Sequence, residues 1–93
     1  MDHRLAAAQR RFPHRDQAIQ LLAARDEEFR DLCVDFSDAE AEFLRWETSI
    51  DAKREVRRAE YAELMDYLSR EIETALDAAA VIPFRGKKPQ NPT

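Results

Sequence analysis

Apolar residues recur every seven positions through the middle of the chain. The first position of this repeat holds Phe29, Phe36, Phe43 and Ile50, and the position three residues later holds Leu32, Ala39 and Trp46. Such spacing is the a/d pattern of a helix with one narrow apolar seam. Because a seam of large aromatic side chains needs a large partner surface, the pattern predicts a helix that packs against other helices.

A second seam follows, in which apolar residues are alternately four and three positions apart. Its members are Tyr61, Met65, Leu68, Ile72, Ala75 and Ala79, and it is widened by Leu64 and Leu76. The two seams differ in phase by one residue, so one straight helix could not present both on the same face. An antiparallel helical hairpin resolves this mismatch. The alternative is a continuous helix with one skipped residue.

The turn of this hairpin is predicted near residues 48–52. Thr48, Ser49 and Asp51 are residue types that cap helices, although the segment contains no Gly. Ahead of the turn, we expect a continuous or gently kinked helix from about residue 14 to residue 48. Asp26 could instead cap a new helix, but Leu22 shares the heptad register of the first seam, which favours continuity.

Proline and charge mark the two ends of the chain. Residues 1–11 can form a short helix that ends at Phe12, because Pro13 disfavours a helical conformation in the residue before it. Beyond Ala80, three Pro, the single Gly and a lack of acidic residues predict a flexible basic tail. The predicted organisation is a basic arm at 1–13, a helical hairpin at 14–80 and a tail at 81–93.

The composition supports an all-α fold of one domain. The chain has 93 residues, of which 44% are hydrophobic and 37% charged, with one Gly, and this balance is typical of long amphipathic helices. No apolar run approaches the roughly 20 residues that span a bilayer, and the N-terminus lacks a secretory apolar stretch, so we expect a soluble cytoplasmic protein. Cys33 is the single cysteine and is expected to be a small core or boundary hydrophobe.

The charges lie in blocks. Residues 1–25 carry a net charge of +3 and residues 26–50 a net charge of -7, within a total of -4. We therefore expect the basic N-terminal arm to lie along the acidic helix, either of its own chain or of a neighbour. Exposed ion pairs contribute only about 0–1 kcal/mol each, so they would select orientation rather than drive folding.

The seams also predict self-association. Two facing helices leave much of each large side chain in water, and a second hairpin would cover the open side and complete a four-helix bundle. We therefore expect a homo-oligomer, preferably a dimer. The predicted packing and oligomer interface consists of Phe29, Leu32, Phe36, Phe43, Trp46, Tyr61, Met65, Leu68 and Ile72.

No residue pattern predicts catalysis, a cofactor or a metal. His3 and His14 are the only histidines, whereas a metal site needs three or four converging ligands. The chain shows neither a nucleophile with an oriented base nor a glycine-rich phosphate loop. We infer no small-molecule substrate and expect a protein that is not an enzyme.

One basic cluster carries an alternative function. Three of its members share a helical face with Tyr61, a geometry that could hold phosphates and stack a base. Asp51, Glu55 and Glu60 are interleaved with it and the chain is acidic, so nucleic-acid binding is the second choice. The cluster consists of Lys53, Arg54, Arg57 and Arg58.

The chain also resembles the short bacterial YdcH-like proteins over roughly residues 3–76. The resemblance consists of Phe12-Pro13, Ile19, Leu22, Asp26, Phe29, Leu32, Phe36, Glu47 and the segment Leu68-Ser69-Arg70-Glu71-Ile72. It departs from that family in Trp46, in the acidic excess of residues 26–50 and in a second helix poorer in Lys. The resemblance implies a two-helix fold that associates, without an assigned activity or catalytic residues.

These patterns together predict a small non-catalytic helical interaction protein, of the adaptor or regulator kind, with an unknown protein partner. It would self-associate through the two seams. The alternative is a nucleic-acid-associated hairpin that uses residues 53–58.

Overall fold

The computed structural model describes residues 3–87, and side chains as far as Ala80. Within this range the chain is almost entirely helical and contains no strand, which confirms the all-α prediction. Two short 3-10 turns, His3–Leu5 and Pro13–Arg15, flank the first helix. The α-helices are α1 (Ala6–Arg11), α2 (Asp16–Arg25), α3 (Glu27–Glu47) and α4 (Arg54–Lys87).

Helices α3 and α4 pack side by side and run in opposite directions. The Arg58 guanidinium lies 5.9 Å from the centre of the Phe43 ring, next to the connection between the helices. Further away, Leu68 of α4 lines the same groove as Asp35 of α3. Residue numbers therefore rise along α4 as they fall along α3.

The connection at residues 48–53 is held by side chains rather than by glycine. The Asp51 carboxylate accepts a hydrogen bond from the Lys53 backbone N–H at 2.7 Å, and the Asp51 N–H donates to the Ser49 hydroxyl at 3.0 Å. The Arg54 Nε donates to the Glu47 carbonyl at 3.0 Å and so joins the two helix ends. No described residue has positive φ, so these bonds set the reversal without a left-handed position.

Residues 3–25, which we call the N-terminal segment, complete the core. They contact both α3 and α4, so the core has a third layer in addition to the two seams. This in-chain layer provides cover that we expected from a second hairpin. The buried apolar residues are Leu5, Ala7, Ala8, Ile19, Leu22 and Ala23 of the N-terminal segment, Phe29, Cys33, Phe36 and Ala39 of α3, and Leu68, Ile72 and Leu76 of α4.

The expected continuous or gently kinked helix from about 14 to 48 is wrong, because the chain breaks at Asp26. This residue has an extended backbone (φ -128°, ψ 104°), and its carboxylate caps α3 by accepting the Phe29 N–H at 3.1 Å. Leu22 and Phe29 share a register because both are buried in one core, but they reach it from different helices. A seven-residue spacing across a capping residue therefore does not show continuity.

Charge pairing places the N-terminal segment against its own chain. Arg10 of α1 forms an ion pair with Glu40 of α3, and Arg15 pairs with Asp77 of α4 at 2.6 Å. The basic segment therefore lies along the acidic helix within one molecule, which was one of the two expected arrangements.

Helix α4 extends to Lys87, beyond the end predicted at Ala80. Proline removes one backbone donor from a helix but does not by itself fix where the helix ends, so composition located this boundary poorly. Residues 88–93 of the predicted tail lie outside the described residues. With α4 about 50 Å long, the molecule is elongated and measures 66 × 25 × 21 Å.

Neighbouring positions of α2 test the in-chain cover. Ile19 is completely buried, whereas Leu21 is 62% exposed. We expect Ile19→Ala to lower the free energy of unfolding by about 2–5 kcal/mol, because it leaves a cavity in the core. The matched change Leu21→Ala should stay within about 0.5 kcal/mol of the wild type. Urea denaturation followed by circular dichroism measures both, and equal losses would contradict this packing.

The cap at Asp26 gives a second stability prediction. Asp26→Ala removes the acceptor of the Phe29 N–H and should cost about 1 kcal/mol. Asp26→Asn keeps an acceptor at the same position and should retain most of that stability. Urea midpoints that fall equally for the two variants would show that the carboxylate does not act as a cap.

Candidate interaction surface

The structure divides the predicted interface residues into two groups. Four of them, Phe29, Phe36, Leu68 and Ile72, are buried in the core of the single chain. Their burial is therefore already explained without a partner. The other five are half-buried: Leu32, Phe43, Trp46, Tyr61 and Met65.

Burial along the first seam falls toward the connection. Phe29 and Phe36 are each 2% exposed, Phe43 and Trp46 are half-buried, and Ile50 is fully exposed. Ile50 is thus not a member of the packed seam, because α3 ends before it at Glu47. No residue between Glu40 and Tyr67 is fully buried. We call residues 40–67 the turn end of the α3–α4 pair.

Exposed apolar side chains are concentrated at the turn end. Ile50 is fully exposed, Val56 is 59% exposed and Leu44 is 53% exposed. Trp46 adds a half-buried indole. We call Leu44, Trp46, Ile50 and Val56 the apolar tip.

An open groove of about 360 Å³ lies between α3 and α4. Ala39 and Leu68 are its most buried members, whereas Leu64 is 41% exposed. The α3 edge carries three carboxylates and the α4 edge contributes no charge. We call this site the acidic groove; it is lined by Asp35, Asp38, Ala39, Glu42, Tyr61, Leu64 and Leu68.

The acidic groove is on the side of α3 away from α1. Glu40 pairs with Arg10 of α1, and Glu42, two residues later, lines the groove. Two residues of an α-helix are separated by about 200° around its axis. The N-terminal segment therefore covers one side of the α3–α4 pair and leaves the groove side open.

The basic cluster at 53–58 is largely paired within the chain. Arg54 and Arg58 both contact Glu55, at 3.0 and 3.2 Å, and Arg57 contacts Glu60 at 2.9 Å. The Arg58 side chain also covers the Phe43 ring. Lys53 is exposed and has no ion pair among the described residues. The structure thus brings the four cations together but largely compensates their charge, which weighs against a phosphate-binding surface.

The histidines do not form a site with each other or with Cys33. His3 and His14 are exposed on the N-terminal segment, and Cys33 is completely buried in α3. Across the part of the chain that the structure describes, no three His, Cys, Asp or Glu side chains converge on a point that could hold a metal ion.

None of the described helices is long and apolar enough to cross a bilayer.

The acidic groove was not predicted from the sequence. An acidic stripe on α3 is nevertheless visible in the sequence, since Asp35, Asp38 and Glu42 are spaced three and four residues apart and so lie on one helical face. That stripe lies beside Ala39 of the first seam. What the sequence does not show is which side of α3 the N-terminal segment occupies.

Comparison with known proteins gives no further assignment: no family model, curated protein or solved structure matches this chain. The resemblance to the YdcH-like proteins stays a prediction.

The ion pairs of the basic cluster give a prediction about anion binding. Replacing Glu55 and Glu60 by Gln frees three Arg side chains, so the double variant should bind single-stranded DNA more tightly than the wild type. Each additional ion pair between an Arg and a phosphate should steepen the salt dependence of log K by about 0.7. Fluorescence anisotropy at several salt concentrations measures this slope.

The control for that experiment is Glu63→Gln with Glu73→Gln. It changes the net charge equally, but neither residue forms an ion pair among the described residues. A wild type that binds as tightly as the Glu55 and Glu60 variant would show that the cluster is available to nucleic acid.

Proposed function

We propose that this chain is a small non-catalytic helical interaction protein, of the adaptor or regulator kind, that self-associates. In this proposal α3 and α4 form a helical hairpin whose apolar tip packs against the apolar tip of a second copy. The observation that carries it is the exposure of the apolar tip, where Ile50 is entirely in water and Val56 mostly so. Covering such side chains lowers the free energy by about 25 cal/mol per Å² of apolar surface.

The charged side chains of residues 47–60, which surround Ile50 and Val56 of the apolar tip, favour a second copy as the partner. This segment carries four acidic and four basic side chains, and most of the bases are paired with acids of their own chain. Two copies of this segment can therefore approach each other without placing a surface of one sign against itself. The charged residues concerned are Glu47, Asp51, Glu55 and Glu60, and Lys53, Arg54, Arg57 and Arg58.

The size of the apolar tip indicates how strongly two copies should associate. Four side chains form a small patch, and interfaces below about 1,200 Å² in total belong to weak or transient complexes. The first half of the α3 seam, which includes Phe29 and Phe36, is already buried within the single chain. Folding therefore does not require the partner. The proposal is therefore a reversible association of folded monomers that depends on concentration.

Sedimentation equilibrium over a wide concentration range tests this function. We expect the wild type to self-associate, and Ile50→Glu combined with Val56→Glu to weaken the dimer at least tenfold, because a carboxylate would have to be desolvated in the interface. Both residues are exposed, so the variant should remain folded.

The matched control is Leu21→Glu, an exposed leucine on α2 that lies outside the apolar tip. It should associate like the wild type. A wild type that remains monomeric at millimolar concentration, or a control that weakens the dimer as much as the tip variant, would overturn the proposal.

A further inference from the structure

We propose that the acidic groove is a docking site for one basic amphipathic helix of a different protein. The helix would place small apolar side chains on Ala39 and Leu68 and direct Lys or Arg side chains toward the carboxylates of α3. The acidic groove shares no residue with the apolar tip, so this inference stands whether or not the protein self-associates.

The chain itself contains an example of this mode of docking on the other side of α3. Helix α1 buries Ala7 and Ala8 against the core, and its Arg10 pairs with Glu40. Small residues let helix axes approach closely, and a basic side chain one turn away finds an acid on α3. The acidic groove offers the same combination, an apolar floor beside carboxylates, with no described helix on it.

The charges of the acidic groove favour a basic helix over a second copy of this chain as its occupant. Asp35 and Asp38 take part in no ion pair with any described residue, and the Arg45 contact of Glu42 is 3.6 Å long and largely exposed. The lining from α4 consists of Tyr61, Leu64 and Leu68 and supplies no compensating base. A basic helix would neutralise this edge, whereas a second copy of the same groove would add like charge.

Apolar contact would supply the remaining complementarity. Leu64 is 41% exposed at the rim, and Tyr61 is half-buried beside it. Both side chains lie on the same face of α4 as the buried Leu68, so a helix lying in the groove would contact an apolar strip as well as the acids. The site therefore favours an amphipathic helix over an unstructured basic segment.

The test uses the full chain and a synthetic 18-residue peptide that forms a helix with Ala and Leu on one face and Lys on the other. We expect saturable binding by fluorescence anisotropy, and chemical-shift changes at Ala39, Leu64 and Leu68 in nitrogen-15 NMR spectra. The same peptide with Glu in place of Lys should not bind.

Two charge variants distinguish binding in the acidic groove from general attraction of a basic peptide to an acidic protein. Asp35→Asn with Asp38→Asn should weaken peptide binding at least tenfold, and Glu63→Gln with Glu73→Gln, which removes the same charge elsewhere, less than twofold. Leu64→Ser should weaken binding about fivefold without changing the net charge, as expected for an apolar contact.

Several results would overturn the inference. They are equal effects of the two charge variants, shift changes confined to the apolar tip, and absence of binding at millimolar peptide. Loss of self-association in the Asp35 and Asp38 variant would assign the groove to a second copy instead. The Ile50 and Val56 variant should still bind the peptide, so failure of self-association and failure of this inference give different results.

Discussion

The fold depends on how the large side chains between α3 and α4 are kept from water. Two helices meet along one line, and a residue as wide as Phe36 extends beyond it. Ile19 and Leu22 of α2 join the same core, so the shielding is completed within one chain. Burial of one aromatic side chain contributes roughly 4–6 kcal/mol at about 25 cal/mol per Å², a large part of the stability of a small domain. The N-terminal segment is therefore required to shield the buried half of the α3–α4 pair, which contains Phe36.

The break at Asp26 makes that cover possible. A straight helix through residue 26 would carry α2 away along the axis of α3 and leave both seams open on that side. The extended backbone of Asp26 changes the direction of the chain, and its carboxylate satisfies the Phe29 N–H that the new helix start exposes. One residue thus supplies both the reorientation and the cap. In the turn after α3, an aspartate again accepts a backbone hydrogen bond close to the start of a helix, since the Asp51 carboxylate accepts the Lys53 N–H.

The sequence predicts the elements of this fold better than their arrangement. Helical periodicity identified the seams, and the capping residues at 48–51 placed the connection, because both signals are local. The same periodicity continued through Asp26, since Leu22 and Phe29 are both buried, and it was given more weight than the capping signal of Asp26. It also suggested a second molecule as the cover, because spacing shows that a face is apolar but not which helix packs on it. The acidic groove was missed for the same reason, as it exists only once the N-terminal segment has taken the other side.

The distribution of charge on α3 follows from this one-sided cover. Glu40 faces α1 and is neutralised by Arg10, whereas Asp35 and Asp38, on the other side of the same helix, have no partner among the described residues. Arg10 of the basic N-terminal block therefore neutralises an acid on one side of α3, while the other side stays acidic. A surface of one sign beside apolar residues selects partners of opposite charge, while the mixed charges of residues 47–60 do not discriminate against an identical surface. The position of the N-terminal segment thus divides the remaining surface of α3 and α4 into two regions with different requirements for a partner.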